Sequence, residues 1–220
     1  GKWGYKSKKT GDYSFGAANL FERDDYGSEV MWGLMPEPTE PEKCIEIFNR
    51  TGDLFKKTFE FAHRLGVKTC VGTETPLVIP AIVSNKIKSK GKDPSNMEVV
   101  EELYTGIFNR ITKAYPIDYY WFWTPEDWTW KGAKPQELTN TINDLFAAIN
   151  AHTKVKPFFE LATCGWVLGP QQDRALFDKI LPKNIALSCI NREVGRTPVD
   201  KGFIKVKNRS KWAIPWLEDD

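Results

Sequence analysis

A chain of 220 residues with 41% hydrophobic and 27% charged side chains can bury a sizeable core, which excludes a disordered polypeptide and predicts one domain spanning residues 1–220. A formal charge of +2 leaves no electrostatic footprint for nucleic acid or an anionic membrane surface. The longest apolar runs, such as 121–123 with its flanking tyrosines or 212–217, fall far short of the roughly 18 residues that a bilayer-spanning helix needs.

The opening GKWGYKSKKTGDY is basic but lacks the apolar stretch and small-residue cleavage site of a secretory signal. YSFGAANL (13–20) predicts a strand interrupted by Gly16. From Leu54, the positions Phe55, Thr58, Phe59, Ala62 and Leu65 follow helical spacing, Gly66 marks a stop, and VKTCVGT (67–73) reads as a buried strand. Val99, Val100, Leu103, Ile107, Phe108 and Ile111 mark a second helix, followed by the strand YYWFW (119–123). Leu138, Ile142, Leu145, Phe146 and Ile149 precede KPFFELAT (156–163), Ala175 to Leu181 precede NIALSCI (184–190), and KWAIPWL (211–217) is a further strand.

Helices alternating with strands this apolar predict a parallel sheet covered on both faces. Helix-to-strand connections are short, whereas the strand-to-helix segments 73–96, 124–135 and 164–173 are long. In a barrel of eight βα units the long loops build the active site, and the short ones close turns. An open doubly wound sheet would more often carry a glycine-rich phosphate loop, and neither GxGxxG nor GxxxxGK[ST] occurs here. The predicted fold class is therefore α/β, a (β/α)8 TIM-type barrel. Strands starting at Tyr13 and Lys211 lie five units apart at about 40 residues each, so eight units need roughly 320 residues. The expectation is an incomplete barrel whose partners are the remaining segments or further domains of a longer parent protein.

Cys44, Cys70, Cys164 and Cys189 are widely spaced with no CxxC pair, which predicts free thiols. His63 and His152 are the only histidines and lie in helix-like segments, so neither the usual zinc sites nor histidine-dependent triads are supported. No metal or cofactor is expected. Chemistry concentrates instead at the predicted strand tips LFERDD (20–25), GTETP (72–76), WTPEDW (123–128), ATCGW (162–166), INREVG (190–195) and WLEDD (216–220), where acids recur in five of six. Paired carboxylates with tryptophans at such a mouth suit glycosidic cleavage. One acid protonates the leaving oxygen, another attacks the anomeric carbon or activates water, and indole faces stack on sugar rings. The structural alternative is that each acid caps a helix or pairs with an arginine such as Arg23, Arg192 or Arg196. Glu160, inside a strand, reads as an interior carboxylate paired with a lysine or arginine in preference to a site residue, and KIKSKGKD (86–93) as a solvated loop.

The succession GVKTCVGTETP, DYYWFWTPEDWTW, ELATCGWVLGP, LSCINRE and KWAIPWLEDD resembles the barrel domain of bacterial glycoside hydrolases over most of residues 13–220. The resemblance implies a carbohydrate substrate, no nucleic acid, and a periplasmic or secreted setting. In the large clan of retaining barrel hydrolases the acid/base glutamate follows the fourth strand and the nucleophile the seventh. With YSFGAANL as the second strand, those positions fall on Glu126 and Glu218. Thr124-Pro125 stands where the clan commonly has an asparagine before the acid. Glu126 is expected among Trp123, Trp128 and Trp130, the surroundings a general acid needs. Glu74, Glu193 and Asp127 are the alternative catalytic acids. Trp123, Trp128, Trp130, Trp166, Asn191 and Arg192 are the candidate substrate-binding residues. Two other readings use the same residues: a carbohydrate-binding barrel without catalysis, and a barrel lyase or isomerase acting on acidic sugars.

Overall fold

A computed structural model describes residues 40–191 and 199–215, with Asn191 and Pro215 described by backbone alone. The predicted strand 13–20 and the residues Arg192, Glu193 and Glu218 lie outside the described residues. The chain divides into two compact units, Gly1–Thr51 and Gly52–Asp220. The described part of the first unit is residues 40–51, helical from Pro41. The periodic pattern read from the sequence begins at Leu54, inside the second unit, which holds the sheet.

The elements run α1 (Pro41–Arg64), β1 (Cys70–Glu74), α2 (Ala81–Ser89), α3 (Met97–Ala114), β2 (Tyr119–Trp123), a one-turn 3-10 helix (Glu126–Thr129), α4 (Pro135–Val155), β3 (Glu160–Cys164), α5 (Leu176–Ile180), β4 (Ala186–Asn191), α6 (Lys201–Lys205) and β5 (Lys211–Pro215). The protein is α/β, with one five-stranded sheet in the order β1-β2-β3-β4-β5. Every pair is parallel, in registers that include Glu74↔Trp123, Trp123↔Cys164 and Ser188↔Trp212. The five strands expected to be parallel neighbours are so. No closed barrel forms among the described residues, since β1 and β5 each pair on one side only. No described helix is long and apolar enough to cross a membrane.

Side-chain parity along β2 sets the layers. Alternate residues of a strand point to opposite faces, and Tyr120 and Phe122 are buried against the helices. Tyr120 meets Phe108 of α3 edge-on at 5.0 Å, and Phe122 meets Tyr104 at 5.9 Å. Leu161 and Leu187, on the same side in neighbouring strands, join this core with Leu145 of α4, Phe177 of α5 and Phe203 of α6. Among the described residues the expectation of cover on both faces is met on one, because strictly sequential strands send each described connecting helix to the same side.

The opposite face, with Tyr119, Trp121 and Trp123, is concave. Three strand spacings separate β2 from β5, about 14 Å in a flat sheet, yet the rings of Tyr119 and Trp212 lie 5.2 Å apart and Trp121 stacks near Trp212 at 6.5 Å. The sheet therefore curls toward this face. Close approach demands glycine at 72, where a Cβ would collide with the main chain of Trp121.

Candidate functional site

The carboxyl ends of the strands are tied together beyond the ladder. Thr75 donates to Trp123 O from both its backbone N and its Oγ1, each at 2.9 Å. Thr124 N donates to Cys164 O at 2.8 Å, and Ile190 N to Gly165 O at 2.9 Å. These bonds fix where each loop departs and hence where Glu74, Glu126 and Trp166 begin.

Pro125 leads into the 3-10 helix, whose first two residues are Glu126 and Asp127. Both are exposed. The indole Nε1–H of Trp166, from the loop after β3, donates to Glu126 Oε1 at 3.1 Å. Asp127 pairs instead with Lys131 at 3.1 Å. Beside them lies an open cavity of about 410 Å³, lined by Pro76, Pro125, Glu126 and Asp127 with Glu137 and Asn140 of α4.

The predicted tryptophans divide. Trp130 is 55% exposed. Trp128, expected as a sugar platform, is only 2% exposed and stacks on Phe177 of α5 with centroids 5.8 Å apart. It is a core residue, because the short helix turns residue 128 toward α5 while Trp130 follows after its end. The aromatic enclosure expected around Glu126 is correspondingly absent, and one indole N–H contact takes its place. Trp123 and Trp166 are partly exposed. Glu74 is exposed and lies alongside Trp123 in register, on the concave side. Asn191 ends β4 opposite Pro215. Glu160 forms no ion pair among the described residues, so its expected basic partner is not found there; it is exposed at the start of β3.

Several site residues had no sequence signal. Arg174, in the loop after β3, donates from Nη1 to Trp128 O at 2.5 Å and from Nη2 to Thr129 O at 2.9 Å. Gln171 donates to Trp130 O at 2.5 Å. Asp144 of α4, buried at 5% exposure, accepts from Leu77 N on Oδ1 at 2.9 Å and from the Tyr104 hydroxyl on Oδ2 at 2.8 Å. Burial pushes the Asp144 carboxyl above its ordinary range against the pull of those two hydrogen bonds, and burial with the adjoining Asp144 charge pushes the Tyr104 phenol up.

Two further clusters lie toward the amino ends of the strands. His63 Nε2 meets both Asp118 Oδ2 at 2.9 Å and Thr69 Oγ1 at 3.1 Å. One ring nitrogen serves both contacts, so the three cannot pass a proton through the imidazole as a catalytic triad does. Burial works against the Asp118 charge, but hydrogen bonds from Thr69 N, Lys68 and His63 hold its carboxyl below the usual range. On the concave face a cavity of about 320 Å³ is lined by Cys70, Tyr119, Trp121 and Trp212. No disulfide joins the cysteines among the described residues. Burial pushes Cys164 up to about 12, which makes it a core thiol rather than a nucleophile. No group of three or more potential metal ligands occurs among the described residues.

Comparison of the chain with protein-family models, with curated proteins and with solved structures finds no match. The functional reading therefore rests on the geometry of the strand ends.

Proposed function

We propose that this chain is the catalytic portion of a glycoside hydrolase built on a βα barrel, with Glu126 as general acid and Glu218 as its carboxylate partner. One observation carries the reading: at the carboxyl end of the curled parallel sheet, Glu126 meets the indole N–H of Trp166, with the exposed Trp130 on the same loop. The carbonyl-type oxygen of a neutral carboxyl is the stronger acceptor, so an N–H donor on Oε1 favours Oε2 as the oxygen that carries the proton whenever the acid is neutral. That is the orientation a group delivering a proton to a leaving oxygen requires. Indole faces beside the acid suit the apolar faces of a sugar ring. The ring contacts between β2 and β5 support the pairing, since Glu126 and Glu218 follow those two strands in sequence. Sequential parallel order and curvature are also what an arc of a (β/α)8 barrel has.

In this mechanism Glu126 protonates the glycosidic oxygen while Glu218 attacks the anomeric carbon or activates water. The test is a screen of the full-length protein against aryl glycosides and plant or algal polysaccharides. Glu126→Gln should lose most activity on sugars with poor leaving groups and little on activated aryl glycosides, whereas Glu218→Gln should lose both. Binding without hydrolysis would move the reading to a carbohydrate-binding barrel. Wild-type rates in both variants would refute the assignment.

A further inference from the structure

The strand-end loops are joined by a set of contacts that runs in one direction, from the loop after β3 to the loop after β2. A one-turn 3-10 helix leaves its last carbonyls without intrahelical donors. The helix that starts at Glu126 has them satisfied from outside. Arg174 takes Trp128 O and Thr129 O, and Gln171 takes Trp130 O. Gln172 then brackets Ala133, accepting from its N at 3.3 Å and donating to its O at 3.2 Å.

Arg174 is itself held in place. Its Nη1 also donates to Gly169 O at 3.1 Å, and its Nε lies 3.6 Å from Asp200 Oδ2. Asp200 is fixed in turn as the N-cap of α6, where its Oδ1 accepts from Gly202 N at 2.8 Å. Packing leaves the loop little freedom: a Cβ on Gly202 would collide with Arg174 O, and one on Gly169 with Asp173 O. The same loop begins with Trp166, the partner of Glu126. One guanidinium thus ties the loop that carries Glu126 to the loop that carries Trp166.

We propose that Arg174 is the positioning residue of this site, clamping the 126–133 loop to the β3 loop so that the Glu126 carboxyl meets the Trp166 indole in one orientation. The catalytic consequence rests on the glycosidase reading, but the clamp does not. The planar fork matters as well as the charge. Two adjacent carbonyls, a third in its own loop and a carboxylate are reached by three nitrogens in fixed geometry, which a lysine ammonium cannot reproduce.

The test uses the full-length protein and has two arms. In the first, amide hydrogen exchange is measured for Arg174→Met and Arg174→Lys. Residues 128–133 should exchange about tenfold faster or more, the scale of losing one charge-assisted hydrogen bond, while 119–123 and 160–164 keep wild-type protection. Unchanged exchange over 128–133 in Arg174→Met, or a uniform rise across the sheet, overturns the clamp. In the second arm, Arg174→Lys should lose about tenfold in kcat on poor leaving groups and little on activated aryl glycosides, and Arg174→Lys/Glu126→Gln should be no slower than Glu126→Gln alone. Equal losses on both substrates, or additive losses, overturn positioning through Glu126. If the wild-type protein hydrolyses no glycoside, the proposed function falls, and the exchange arm still decides the clamp.

Discussion

Asp144 is the buried charge on which the shape of the mouth most directly depends. Its carboxylate accepts from Leu77 N in the loop after β1 and from the Tyr104 hydroxyl of α3, so it joins three elements from a position on α4. Replacing it with alanine leaves both donors without partners. An unsatisfied buried donor costs about 1–3 kcal/mol. Tyr104 is fully buried, whereas Leu77 borders a cavity of about 240 Å³, large enough for water to reach its N–H. Asp144→Ala should therefore destabilise the protein by about 2–4 kcal/mol, most of it from Tyr104. Asp144→Asn is a different perturbation. Its Oδ1 still accepts from Leu77 N, the Tyr104 hydroxyl can turn to accept from Nδ2, and the buried charge is gone.

The two variants separate hydrogen bonding from charge through their pH dependence. Because burial raises the Asp144 pKa in the folded state, the native protein binds its proton more tightly than the unfolded chain does. The stability this contributes is complete below the unfolded carboxylate value of about 4, and it is lost as pH rises through the folded value. Asparagine, which does not titrate, should gain on the wild type as pH climbs from 4 to 8. Urea unfolding of the three proteins across that range is the assay. An Asp144→Ala curve that coincides with wild type, or an Asn-to-wild-type difference that stays flat with pH, would refute the reasoning.

The remaining predictions concern other positions. Trp128→Ala should cost about 3–5 kcal/mol of stability, as large aromatic truncations in cores do, while Trp130→Ala should leave stability within about 0.5 kcal/mol and weaken sugar binding by about 1–3 kcal/mol; equal melting temperatures for the two variants would contradict this division. Asp118 has the opposite linkage to Asp144: its depressed folded pKa gives stability that is present above the unfolded value and lost as pH falls through the folded one. Asp118→Asn should thus melt below wild type at pH 7, with the gap closing below about pH 4, and thermal scans showing a constant gap would overturn it.

Where the sequence was read well, one local signal decided the outcome. YYWFW is aromatic throughout and flanked by YPID and TPED, so only a strand with both faces apolar accommodates it, and β2 has the predicted bounds. Strands 67–73 and 156–163 were read as starting too early, because Val67 and Phe158 are apolar in sequence yet stand 54% and 56% exposed ahead of the ladder. The ladder begins only where a neighbour is available, at Cys70↔Tyr119 and Tyr119↔Glu160. Helix α1 starts at Pro41 instead of Leu54, since Gly52 interrupts the periodicity without interrupting the helix. Helix α2 was read as loop: it buries no residue, and Pro80 gives it no side-chain cap, so no amphipathic stripe exists to detect. Trp128 and Trp130 could not be told apart, because what separates them is Phe177, a residue distant in sequence. Arg174 and Asp144 leave no trace in the side-chain pattern for the same reason: Trp128 O and Thr129 O for the one, Leu77 N and the Tyr104 hydroxyl for the other, are distant in sequence.

These failures share a physical origin that bears on how the site works. Each strand end is held by its own ladder, but the loops beyond are held by side chains of neighbouring units: Thr75 on Trp123 O, Arg174 on Trp128 O and Thr129 O, Gln172 on Ala133. A loop fixed by a neighbour keeps its shape only while that neighbour keeps its side chain, so substitutions at 171, 172 or 174 act on residues 126–133 without changing any of them. The helix-side core, built from Phe108, Tyr120, Phe122 and Phe159 in mutual edge contact, does not depend on those loops. The geometry of the 126–133 loop can therefore be altered by a polar exchange in one neighbouring loop while the aromatic core that β2 packs against stays as it is.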